Sequence, residues 1–303
     1  MTRIDLTGRV AIITGSGGGL GRSYAVALAE AGAAVVVNDI DAEAAAETAE
    51  IVRSSGGQVE VVVAPVGGAE TADLLVRTAV ATFGRLDAMI ANAGVLRDRV
   101  LWKTTDDEFD IVVQTHLRGA FTCGRAAAVH FRAAGEGGRI ILVGSPAGQF
   151  GSFGQTAYAA SKAGIVAMAR TWSLELARAN VTVNAIIPTA MTAMTATIPI
   201  YAAHYEQFIA GEPLAPVIRR DHALGAPEDV APLVVWLMSD RSRHVTGQAI
   251  GLGGDRLTLY SHPHALEVRD SDGGWSASEL ADVWDAELEP FAQLSGPSLP
   301  APE

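Results

Sequence analysis

From residue 9 to residue 251, short β-branched apolar runs alternate with longer stretches in which apolar residues recur at helical spacing. That alternation predicts parallel strands buried on both faces, with helices covering each side of the sheet. The strand candidates are Val10–Thr14, Ala34–Asp39, 59–64, Ala88–Ala91, 140–145, 181–187 and 249–251, seven in all. Helices are predicted near 21–30, Ala42–Ser54, 71–83, 107–132, 157–179 and 228–239. Asp41 stands where it can cap the second helix, and Pro227-Glu228-Asp229 fills the first turn of the sixth. Gly32, after Ala31, suits a left-handed end to the first. The predicted fold class is α/β: a doubly wound, seven-stranded parallel sheet followed by a C-terminal extension.

Two segments break the rhythm. Residues 191–223 read as irregular and too long for an ordinary connection, which makes them a candidate substrate lid, the alternative being a surface insertion. Residues 255–303 follow the last strand and carry His262-Pro263-His264, Gly273-Gly274-Trp275 and a short helical pattern over 276–288. Their Pro-rich end, 296–303, is expected to be disordered.

Composition narrows the function classes. The chain has 303 residues, 49% hydrophobic and 18% charged, which suits one α/β domain, 1–254, plus the 255–303 extension. The single cysteine, Cys123, can form neither an internal bridge nor a Cys/His metal cluster, and reads as a buried apolar side chain. No stretch resembles a signal peptide or spans a bilayer, so a cytoplasmic location is expected. A net charge of −12 and a pI near 5.0 argue against nucleic acid or an anionic membrane as partner. Arginine supplies all but two of the 22 basic residues, so Lys103 and Lys162 stand out.

Between the first strand and first helix lies Thr14-Gly15-Ser16-Gly17-Gly18-Gly19-Leu20-Gly21, where backbone N–H groups and the helix dipole can hold a pyrophosphate. Its spacing is Gly15-x-x-x-Gly19-x-Gly21, not the standard G-x-G-x-x-G fingerprint. The second strand ends in Asn38-Asp39, where a carboxylate can accept hydrogen bonds from an adenosine ribose and repel a 2′-phosphate. NAD is therefore favoured over NADP. Asp41 competes for that role, and nearby Arg22 weighs toward NADP. Ala91-Asn92-Ala93-Gly94 closes the fourth strand, where small residues admit the cofactor and Asn92 can brace neighbouring backbone.

Tyr158 and Lys162 are four apart at the start of a helical segment, which puts phenol and ammonium on one face. A nearby cation stabilises a phenolate and lowers the tyrosine pKa from its ordinary ~10. Tyr158 is then a competent general base toward an alcohol proton. Ser145, at the end of the fifth strand, can hold the substrate oxygen.

These motifs, in this order, resemble the short-chain dehydrogenase/reductase family over roughly 7–254. Asn184-Ala185-Ile186-Ile187-Pro188 followed by Thr192 completes the resemblance. It implies a single Rossmann domain, with Ser145 orienting substrate and Tyr158 as base. It also implies that Lys162 binds the nicotinamide ribose, that 187–192 meets the carboxamide, and that a homodimer or homotetramer forms through the helices of 107–132 and 157–179. Gly15, Gly17, Gly19, Leu20, Gly21, Asp39, Val66, Asn92, Ala93, Gly94, Tyr158, Lys162 and Thr192 make up the implied cofactor site. Where the family usually has asparagine in V-N-L-x-G, this chain has His116, a candidate replacement in the proton relay. Pro65 replaces an acid that often touches the adenine, which leaves the Val66 backbone as the contact, and the usual Pro-Gly is Pro188-Thr189.

Val37-Asn38-Asp39, 94–99, His116-Leu117-Arg118-Gly119 and 150–155 are similar to the (3R)-hydroxyacyl-CoA dehydrogenase domains of multifunctional β-oxidation enzymes, as is the Trp275 region. That similarity implies oxidation of a 3-hydroxyacyl thioester or a steroid-like alcohol, with Arg97, Arg99 or Arg118 as candidates to meet CoA phosphates. His262 and His264 lack a completing cluster, so no metal ligand is expected. Two alternatives remain: an NADP-dependent 3-oxoacyl reductase, and a non-catalytic dinucleotide-sensing protein.

Overall fold

In the computed structural model, residues 4–296 are described. Among them one sheet runs in the order β3-β2-β1-β4-β5-β6-β7-β8. Its strands are β1 Val10–Thr14, β2 Ala34–Asp39, β3 Val59–Val63, β4 Ala88–Ala91, β5 Gly138–Val143, β6 Val181–Pro188, β7 Ala249–Gly253 and β8 Arg256–Tyr260. The first seven are parallel, and all but the edge strand β3 are almost wholly buried, as helices on both faces require.

The helices are α1 Gly19–Glu30, α2 Ala42–Ser54, α3 Ala69–Phe83, α4 Asp106–Val113, α5 Gly119–Ala134, α6 Ala147–Phe150, α7 Thr156–Glu175, α8 Ala202–Ile209, α9 Pro216–Arg220, α10 Ala231–Met238 and α11 Ala277–Val283. Two core clusters sandwich the sheet: Val36, Met89, Leu142 and Val183 point to the side of α3, α5 and α7, and Val35, Ile90, Ile141 and Ile186 to the side of α1 and α10. Opposite facing of neighbouring residues follows from the period of two in a strand. No described helix is long and apolar enough to cross a membrane.

Three expectations need correction. The sheet has eight strands, because Gly254-Asp255 makes a two-residue hairpin, with Gly254 at φ +48, that returns β8 antiparallel along β7. The helix expected over 107–132 is α4 and α5 joined by a widened π turn, Gln114–Arg118. Residues 191–223 are not irregular: they contain α8 and α9 around a small apolar cluster, Met191, Tyr201, Leu214 and Ile218, completed by Leu224 just beyond. Asp41 does cap α2, its Oδ1 accepting from Glu43 N at 3.0 Å and Ala44 N at 3.1 Å. Except for residue 296, the expected disordered end lies outside the described residues.

Candidate active site

A cavity of about 1360 Å³ opens at the carboxyl ends of the parallel strands, where open α/β sheets bind their ligands. Ordinary single-ligand pockets run to roughly 1,000 Å³, so this one has room for two molecules side by side.

At one end the glycine turn meets α1. Gly18 precedes α1, and no side chain caps that helix end. A Cβ added at Gly18 would meet nothing within 4 Å, so the residue leaves open space on the cavity wall. Uncapped N–H groups beside open space fit a pyrophosphate. Asn92 braces the turn from below, its Nδ2 donating to the carbonyls of Thr14 at 3.0 Å and Gly15 at 2.9 Å. Thr14 Oγ1 answers by accepting from the amides of Asn92 at 3.0 Å and Ala93 at 3.1 Å. Thr14 is thus a structural member of the site that the glycine spacing alone does not single out. At Gly21 a Cβ would lie 2.1 Å from the Gly15 carbonyl oxygen, a backbone clash with no relief.

Asp39 lines the same cavity, and its Oδ2 accepts from Gly17 N at 2.8 Å. Asn38 pins this strand end by donating to the carbonyls of Val62 and Ala64, both at 3.0 Å. Arg22 is turned to other work: its Nε donates to Gly17 O and Thr48 Oγ1 at 3.0 Å, and its terminal nitrogen pairs with Glu47 at 2.9 Å. Val66, Ala93, Gly94 and Thr192 also line the cavity, beside Leu20.

Ser145, just past β5, and Tyr158, in the first turn of α7, line the same cavity with their hydroxyls turned toward each other. One turn on, Lys162 is buried, its Nζ 5.5 Å from the centre of the Tyr158 ring and 2.6 Å from the Val143 carbonyl, to which it donates. Without a ligand, the charges differ from expectation. Burial pushes Lys162 down to about 7, so it carries only a fractional charge at neutral pH. Burial likewise raises the Tyr158 phenol, against the lowering effect of the Ser145 hydroxyl and with Asp98 adding to the rise. The expected lowering of the tyrosine by Lys162 is therefore absent from the ligand-free site.

The sign of the lysine shift gives a test. The folded protein releases this proton near pH 7 and the unfolded chain near 10.5, so between those values the unfolded state holds more protons. This group's contribution to stability is full above 10.5 and is lost as pH falls toward 7. Lys162→Met is expected to remove that part of the rise in stability of the ligand-free protein from about pH 7 upward, as read by chemical denaturation. An unchanged slope would contradict a depressed lysine.

His116 sits in the π turn, buried, with its ring edge-on to Tyr158 at 5.1 Å between centroids. Its Nε2 faces the carbonyl and amide of Val95, at 2.8 and 3.0 Å, and its Nδ1 is buried without a partner. Burial, then the Lys162 charge, pushes it down to about 3, so it is neutral at any physiological pH. The ring fills the space that Gly94 leaves, since a Cβ there would lie 2.2 Å from His116 Cε1.

Of the three arginine candidates, only Arg97 lines the cavity, and it has no carboxylate partner among the described residues. Arg99 pairs with Glu108 at 2.9 Å, and Arg118 donates to Gly67 O at 3.0 Å. His262 and His264 bond to backbone oxygens of Gly247 and His262, at 3.0 and 3.2 Å. No group of three or more His, Cys, Asp or Glu able to hold a metal ion occurs among the described residues.

Similarity to known proteins agrees with this geometry. The family described as short chain dehydrogenase matches residues 9–200, more than half the chain. Hydroxyacyl-CoA dehydrogenase ChsB1 of Mycobacterium tuberculosis is 38% identical over 291 residues, covering 91% of this chain and 87% of that protein. Peroxisomal multifunctional enzyme type 2 of Mus musculus is 39% identical over 300 residues, 96% of this chain, which spans only 38% of the mouse protein. Among solved structures, a short chain dehydrogenase from Mycobacterium avium superposes with a TM-score of 0.83 at 36% identity, covering 98% of this chain and 99% of the other. A short chain dehydrogenase from Mycobacterium paratuberculosis bound to NAD gives 0.72 at 30% identity, over 82% of this chain and 98% of that one. The chain belongs to the short-chain dehydrogenase family of oxidoreductases, which bind a nicotinamide dinucleotide, and it is similar there to hydroxyacyl-CoA dehydrogenases.

Proposed function

We propose that this protein oxidises the secondary alcohol of a 3-hydroxyacyl-CoA-like substrate to the ketone with NAD as hydride acceptor. The observation that carries the proposal is one continuous cavity lined by the glycine turn, Asp39, Ser145, Tyr158 and Lys162. Asp39 supports NAD, because a carboxylate accepts from ribose hydroxyls and repels a 2′-phosphate. The commitment of Arg22 to Gly17, Thr48 and Glu47 occupies a nearby cation that would otherwise welcome that phosphate.

When bound, NAD supplies the hydride acceptor and a positively charged ring that favours a neighbouring phenolate. Ser145 Oγ donates to the substrate oxygen and fixes it against Tyr158. Tyr158 Oη takes the alcohol proton, and Lys162 Nζ holds the ribose and passes charge support to the phenol. His116 enters as a positioning residue: a neutral ring wedged between Gly94 and Tyr158 keeps the phenol in place.

The hydroxyacyl-CoA class rests on the names of the relatives and on Arg97, a cavity cation with no acid partner among the described residues. The apolar side chains of Phe150, Met194, Ile198 and Leu224 line the same cavity and suit an acyl chain or a ring system. Residues 191–223 serve as the lid. Exposed Phe121 and Val129 on α5 and Leu174 on α7 support association into a homodimer or homotetramer through those helices.

NADH formation with a panel of 3-hydroxyacyl-CoA esters and hydroxysteroids tests the proposal. The thioesters are expected to be the better substrates, and turnover of steroids alone would overturn the thioester assignment. Arg97→Glu is expected to raise KM for a CoA thioester at least tenfold, on the order of one charge-assisted hydrogen bond. An unchanged KM would remove Arg97 from the site.

A further inference from the structure

The eighth strand has no counterpart among the seven parallel strands predicted from the chain's apolar pattern, and its two faces are unlike. Arg256, Thr258 and Tyr260 line the large cavity, whereas Leu257 and Leu259, between them, are 70% and 69% exposed. This is the alternation of a strand with one face on a pocket. Small residues on β7 make space for it: a Cβ at Gly251 would come within 3.1 Å of Tyr260 Cε2 and 3.3 Å of Thr258 Cβ. Tyr260 packs against Phe150, another residue of the cavity wall, ring centres 6.0 Å apart and planes tilted by 54°. Arg256 ties the strand to the 191–223 segment by donating to Asp221 O at 3.0 Å.

Sheet order says which ligand this wall faces. The cofactor end of the cavity is marked by Asp39 on β2, and the reacting centre by Ser145 at the end of β5. With β2 on one side of β5, β8 lies three strand spacings away on the other, roughly 14 Å. A group that reaches β8 is therefore part of the substrate, remote from its alcohol carbon.

We propose that the inner face of β8, with Phe150 packed beside Tyr260, is the binding wall for the remote apolar part of the substrate, a long acyl chain or fused rings, and that Tyr260 sets the preference for substrates carrying it. The assignment rests on the dehydrogenase reading for its substrate class, but the wall is testable without turnover. Calorimetric binding of decanoyl-CoA and acetyl-CoA to the full chain with NADH present reads the wall directly. The intact protein is expected to bind decanoyl-CoA at least tenfold more tightly, and Tyr260→Ala to lose most of that advantage while acetyl-CoA and NADH binding stay within about twofold. Thr258→Trp, which fills the wall instead of opening it, is expected to cost the long chain selectively as well, and covers the case in which Tyr260→Ala does not fold.

In turnover, the same variants should lower kcat/KM for 3-hydroxydecanoyl-CoA about tenfold and leave 3-hydroxybutyryl-CoA nearly unchanged. Equal losses for both chain lengths, or no chain-length advantage in the intact protein, would overturn the wall. If the long chain binds as expected but neither hydroxyacyl thioester is oxidised, the wall stands and the dehydrogenase reading falls.

Discussion

Tyr158→Phe is expected to bind NAD with an affinity close to that of the intact protein and to turn over about 10²–10⁴-fold more slowly, the usual worth of a positioned acid or base. The substitution removes one oxygen. The T-shaped contact with His116 and the face toward Lys162 remain, so the helix and the cofactor cradle have no reason to move. What is lost is the hydroxyl that faces Ser145 and would take a proton from the alcohol. Fluorescence titration with NADH and steady-state rates check the two halves separately. A variant that still turns over rapidly would mean that another group, or water, removes the proton.

Asp39→Asn is expected to shift the ratio of kcat/KM for NAD over NADP by about 10²-fold toward NADP. An amide oxygen can still accept from Gly17 N–H, so the glycine turn keeps its tether. The negative charge goes, and with it the charge-assisted bonds to the ribose hydroxyls, about 1.5–3 kcal/mol, and the repulsion of a 2′-phosphate. Arg22 is held by Glu47 and two neutral oxygens. NADP therefore gains only relief from repulsion, and a full reversal needs an added cation. A ratio that stays constant would move the ribose contact away from β2.

The gathering of Tyr158, Lys162 and the glycine turn on one cavity was legible in the sequence because its signals are local. A turn of four residues on one helix puts Tyr158 and Lys162 together whatever surrounds them, and the glycine run between β1 and α1 fixes the cradle's place. Asp41 was separable from Asp39 by its position just before a helical run. The lysine's weakened charge was not legible. It comes from burial, set by how α7 lies across β5.

The eighth strand carried a readable signal: Gly254-Asp255 is a two-residue hairpin turn, followed by the alternating Arg-Leu-Thr-Leu-Tyr of 256–260. An assumed end to the sheet at Gly251 hid it. In 191–223, the helices α8 and α9 are short and pack on a five-residue cluster, too little periodicity to show against alanine and threonine. The π turn that delivers His116 is a tertiary adjustment within an otherwise continuous helical pattern.

The central claim, that one cavity joins NAD to an alcohol held by Ser145 and Tyr158, meets its most direct test in a single turnover. Enzyme in excess is mixed with NAD and a 3-hydroxyacyl-CoA, and NADH and the 3-oxoacyl product are measured together. The expected result is equal amounts of both, formed in one phase and lost on Tyr158→Phe. Binding of both ligands without any NADH would contradict it.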